Sequence, residues 1–165
     1  MEITSTQPSV QNQFMEVFKF DYQDLLSNKN GNLSEAQKKR VMNYAVTSFS
    51  IFQVVGLFFT GMFLFVSKKP FSEISLAIPG FFLVIFTIIG ASLAWLHWST
   101  YSLGTVKRLY GKVEFQEVKG MLFLCIEETR IRMLLDVVNL FEKNSVYAIY
   151  YADQISTIMS VEKVS

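Results

Sequence analysis

The chain has 165 residues, 51% of them hydrophobic and 18% charged, where about a quarter charged is usual for a soluble domain. A formal net charge of +1, with no basic stripe, argues against a nucleic-acid partner held by phosphate neutralisation. A single cysteine, Cys125, leaves no intrachain disulfide and no cysteine-based metal framework.

In chain order, Met1 to Gln13 is polar and unpatterned, and is expected to be mobile. Phe14, Val17, Phe18 and Phe20 follow. They are too many to leave in water, and are expected on a membrane surface, against the C-terminal domain, or on a partner. Asp21 and Asp24 form a weak helix cap ahead of Leu25 and Leu26. The run Asn28-Lys29-Asn30-Gly31 invites a calcium-loop reading. Aligned on the glycine, however, Leu26 and Gln37 fall on ligand positions, so a glycine-bearing turn is the better reading. Ser34 and Gln37 make a stronger S-x-x-Q cap, which predicts a helix from near Ser34. Residues 1–43 thus read as a cytoplasmic segment with amphipathic or capped helices.

Two stretches then carry no Asp, Glu, Lys or Arg: Val41 to Ser67 and Ile74 to Val106. Spans of 23 residues, 44–66 and 74–96, lie inside them. As a helix each is about 35 Å long, enough for a hydrocarbon layer of about 30 Å. The first begins too late for a cleavable signal peptide. A short connector with Pro70 predicts an antiparallel hairpin over residues 44–98. Pro79 and Gly80 imply either a kink or a helix that starts there and runs past Trp98. Lys38, Lys39 and Arg40 precede the spans and Lys107, Arg108 and Lys112 follow them, against Lys68 and Lys69 in the connector. This bias predicts both termini on the cytoplasmic side of a cell membrane. Trp95, Trp98 and Tyr101 are expected as interface anchors, and the only histidine, His97, as a polar interfacial residue. Within the spans, Gln53 calls for a polar partner on the neighbouring helix or on another subunit. Gly56, Gly61, Gly90 and Ala94 suit close helix approach.

Residues 104–165 change period. Strands are predicted at Lys112–Gln116, Met121–Ile126 (central), Thr129–Leu134 (edge), Val146–Tyr151 and Ile155–Glu162, the last two as a hairpin. Asp136 to Phe141 reads as a loop or one helical turn. The fold class is a membrane α+β protein: a two-helix transmembrane hairpin followed by a small antiparallel β-sheet or partly open β-barrel. No histidine, Gly-rich phosphate loop or activated thiol marks the β domain for catalysis, and no cofactor is expected.

Asp24, Leu25, Asn28, Gly31, Leu33, Ser34 and Gln37 spell D-L-x-x-N-x-x-G-x-L-S-x-x-Q ahead of two spans. With Gly111, Val113, Tyr150, Tyr151, Ser160 and Glu162, the chain resembles a family of uncharacterised small bacterial membrane proteins over nearly its full length. Where related proteins often carry proline after the tyrosines, this chain has Ala152 and Asp153. The resemblance implies a bacterial membrane origin and supplies no activity. The function expected is a non-enzymatic anchor or accessory subunit in the lipid bilayer, homo-oligomeric or bound to a membrane-protein partner. Phe14, Phe18, Tyr150 and Tyr151 are candidates for its partner surface. The alternatives are a homo-oligomeric pore, suggested by Gln53 and the small residues, and a membrane-linked ligand sensor.

Overall fold

The computed structural model describes residues 10–67, 77–133, 135–142 and 145–164. The expectations for the first nine residues, the connector at 68–73 and the start of the second span at 74–76 lie outside the described residues. The chain forms two compact units: Met1–Lys38 with Leu103–Ser165, and Lys39–Ser102.

In the first unit, α1 (Val10–Phe18) includes the last four residues of the segment expected to be unpatterned. Val10, Phe14, Val17 and Phe18 recur at helical spacing, and Phe14 drives the packing. It is fully buried, with its ring 5.0 Å from Phe141 and 5.8 Å from Tyr147. Lys19, at φ 55, ends the helix and turns Phe20 inward. The Asp21 cap is a complete capping box: the Asp24 amide donates to Asp21 Oδ1 (2.7 Å) and the Asp21 amide to Asp24 Oδ2 (3.2 Å). It starts α2 (Tyr22–Lys29).

Gly31 follows at φ +80, the left-handed region where a side chain is disfavoured, and makes the predicted turn. Ser34 and Gln37 then form a second reciprocal box. The Gln37 amide donates to Ser34 Oγ (3.0 Å) and the Ser34 amide to Gln37 Oε1 (3.2 Å). From this box α3 (Glu35–Val66) runs unbroken for 32 residues. α4 (Ala77–Leu103) has 27 residues, so the helices are about 48 and 40 Å long. Pro79 lies in the first turn of α4, where its missing N–H costs nothing, and the helix continues past Trp98. Both helices are long and apolar enough to cross a membrane, and only 6% and 11% of their apolar windows are buried.

Among the described residues six strands complete the first unit, in two antiparallel three-stranded sheets. One has the order β1 (Lys107–Lys112), β5 (Val146–Ala152), β6 (Thr157–Lys163). The other has the order β2 (Glu114–Val118), β3 (Met121–Ile126), β4 (Thr129–Met133). The expected single sheet or partly open barrel is therefore corrected to two small sheets that do not close. The predicted strand at Lys112–Gln116 is in fact a corner. Val113 alone separates β1 from β2, and the alternation that suggested one strand runs across the switch between sheets. Gly111 allows the corner its tightness, because a Cβ there would sit 3.1 Å from Ile126 Cγ2. The central β3, the edge strand β4 and the β5–β6 hairpin stand as expected, and the segment after β4 is a 3-10 helix (Leu135–Leu140). Leu124, Ile126 and Ile131 from one sheet, and Tyr147, Ile149 and Val161 from the other, share a core with Phe14 and Leu25.

Candidate functional site

The most connected constellation is a buried polar cluster where α2, the Gly31 turn, the start of α3 and β6 meet. Ser160 is the polar member of an otherwise apolar run in β6. Residues 158–161 are all buried, and Ser160 is fully so. Its hydroxyl donates to Asn28 Oδ1 (2.6 Å). Asn28 and Gln37, both about 1% exposed, form a reciprocal amide pair. Asn28 Nδ2 donates to Gln37 Oε1 (2.7 Å) and Gln37 Nε2 to Asn28 Oδ1 (3.1 Å). Asn28 Nδ2 also donates to the Asn32 carbonyl (2.9 Å), and Gln37 Nε2 to the Met159 carbonyl (3.0 Å). With the Ser34 amide on Gln37 Oε1, both side chains use two donors and two acceptors each, which is their full capacity. Ser34 Oγ bonds the Asp24 carboxylate, and Lys29 pairs with Glu162 at 2.7 Å across the rim. Burial of an unmet amide is costly, so this saturation fixes α2, the first turn of α3 and β6 in one arrangement.

Beside the cluster the chain closes on itself. The Leu33 amide donates to the Gly104 carbonyl (2.7 Å) and the Val106 amide to the Gly31 carbonyl (3.0 Å), with Asn32 and Thr105 bridged antiparallel. The residues that lead into α3 and out of α4 are thus strapped together within the first unit.

The chain matches no family model, no curated protein and no solved structure. Its chemistry has to be read from its own geometry.

In the second unit, Gln53 finds its partner on the neighbouring helix. Its Nε2 donates to Thr87 Oγ1 (3.1 Å), and the Thr87 hydroxyl is 3.3 Å from Gln53 Oε1. Gly56 and Gly90 lie at close approaches, where an added Cβ would be 3.1 Å from Phe86 Cβ and 3.0 Å from Phe52 Cβ. Gly61, expected to do the same, has nothing within 4 Å of a Cβ. Ala94 lines an apolar groove with Trp95 and Trp98. Trp95 is 67% exposed, and the Trp98 ring is 5.8 Å from Tyr101. His97 stacks on Tyr44 with ring centroids 6.1 Å apart.

Three of the four side chains expected on a partner surface are interior. Phe14, Tyr150 and Tyr151 are buried, because the α1 face and β5, the central strand of its sheet, both turn toward the shared core. Burial raises the pKa values of Tyr150 and Tyr151 above the ordinary phenol range, so both phenols hold their protons more tightly. Phe18 is half-buried and edges a groove of about 240 Å³ with Val17, Arg132, Met133 and Ile158. A more polar cleft of about 540 Å³ lies over the second sheet, between Lys112, Glu114, Cys125 and Arg130. Cys125 is buried there, and among the described residues no group of His, Cys, Asp or Glu is arranged to hold a metal ion.

The cluster's members Asn28, Ser34 and Gln37 lie far along the chain from Ser160, and spacing alone does not join them. The available signal was a serine inside the apolar run Ile158-Met159-Ser160-Val161.

Proposed function

We propose that this protein is a non-enzymatic membrane anchor or accessory subunit. Its α3–α4 hairpin crosses a bacterial cell membrane with both termini cytoplasmic, and its sheet-bearing unit binds a protein partner. The observation that carries the reading is the outward apolar surface of two long helices, with 6% and 11% of their apolar windows buried. Such surface is stable in lipid and not in water. Lys38, Lys39 and Arg40 before the spans, and Lys107, Arg108 and Lys112 after them, against Lys68 and Lys69 between them, support the orientation. The first unit satisfies its buried amides internally and offers exposed apolar side chains such as Val17, at 44%, which suits contact rather than chemistry. The pore alternative drew on Gln53, whose amide is already occupied by Thr87 without a second subunit.

Two measurements test the proposal together. In intact cells, a membrane-impermeant maleimide labels Ser67→Cys, while the buried Cys125 stays unlabelled; labelling only after permeabilisation refutes the orientation. Crosslinking in mild detergent yields a heteromeric species that Val17→Glu abolishes without lowering the melting temperature. Recovery of the monomer alone under several mild conditions refutes partner binding.

A further inference from the structure

An open apolar groove of about 480 Å³ runs along one face of the second unit. Its floor is made of small side chains, Ala45, Ala91 and Ala94, and its walls of Val46, Trp95 and Trp98. On α3 it extends from Met42 to Phe49, about 10 Å along the axis. That matches the upper part of an acyl chain. Lys39 is exposed. It precedes Met42 by three residues and Val46 by seven, so it stands on the same helix face, about 4.5 Å beyond the groove's end. The two indoles belong at headgroup depth, which sets that end of the groove at the membrane surface.

Resting on the membrane reading above, we propose that this groove is a binding site for one anionic phospholipid. An acyl chain lies along the alanine floor and the headgroup phosphate pairs with Lys39. A helix face of larger residues would leave no such channel. The cation at one end, with apolar walls at the other, selects an amphiphile of negative charge over a zwitterionic one.

The test uses the full chain reconstituted in nanodiscs of equal parts phosphatidylglycerol and phosphatidylcholine, then released into native mass spectrometry. The expected result is one retained phosphatidylglycerol in about fivefold excess over phosphatidylcholine, the effect of one cation near an anionic surface. Lys39→Gln brings the ratio near one, and Ala94→Leu, which fills the floor, lowers retention of both lipids. Equal retention in the unaltered protein, or an unchanged ratio in Lys39→Gln, overturns the proposal. So does a dimer that Ala94→Leu converts to monomer with retained lipid unaltered, because the groove is then a seam between two copies. Carbonate extraction separates the two failures. A chain released from membranes by carbonate refutes the spanning reading itself, whereas a chain that stays in the pellet without lipid preference refutes only the lipid site.

Discussion

Asn28 and Gln37 decide how the first unit is held. All four hydrogen-bonding positions of each amide are taken, and neither side chain reaches water. Replacing one of them strands the other. Asn28→Leu is expected to cost about 2–4 kcal/mol, the penalty for leaving buried amide groups unmet. Asn28→Leu with Gln37→Leu is expected to cost less than the sum of the single changes, because the second removes the group the first orphaned. Thermal melting of the full chain in mild detergent checks both, and strict additivity refutes the reciprocal pair. Tyr150 and Tyr151 make a second expectation. Burial holds their phenols protonated above the ordinary range, and the bond to Glu162 likewise raises Lys29. In the unfolded chain these groups lose protons from about pH 10 upward. Their contribution to stability is therefore full below that range and is lost as pH rises through the folded values. The melting temperature is expected to be level between about pH 8 and 9.5 and to fall above about 10, less steeply in Tyr150→Phe. A level melting curve to pH 11 refutes this.

The small residues of the two long helices divide by what faces them. Gly90 meets Phe52 at 3.0 Å from an added Cβ, and Gly56 meets Phe86 at 3.1 Å. Gly90→Ala is expected to destabilise the helix pair by about 1–3 kcal/mol through overpacking. Gly61→Ala, with open space around it, is expected to stay within about 0.5 kcal/mol of the parent. Denaturation in a graded detergent mixture compares the two, and equal effects refute the close approach. Sequence alone could not tell Gly61 from Gly56, since both sit in apolar helix and only the partner helix distinguishes them. Elements written by local rules were readable: the S-x-x-Q box, the charge-free stretches, the β5–β6 hairpin. Elements set by distant packing were not. The α1 helix packs through Phe14 on Phe141 and Tyr147, which lie far along the chain, and the β1–β2 corner shows only once each strand has its own sheet.

The candidate sites were readable in about the same proportion. Gln53 announced a polar partner by its isolation in an apolar span, and Thr87 is that partner. The buried cluster was visible only as scattered residues. Its bonds join Asn28 to Ser160, 132 positions on, and Gln37 to the carbonyl of Met159, 122 positions on, which no local pattern encodes. For Phe14 and the tyrosine pair the sequence admits core and interface alike, because a large aromatic ring looks the same in both until its neighbours are known.

The strap between Leu33 and Gly104 has a consequence for the birth of the molecule. The first unit is interrupted by the whole α3–α4 insertion, so its early third cannot close until its last strand has left the ribosome. Gln11 waits for the carbonyl of Val161, 150 residues later. Through that delay Phe14, Phe20 and Leu25 have no cover of their own. A nascent chain in this condition keeps those side chains exposed until β6 has been made.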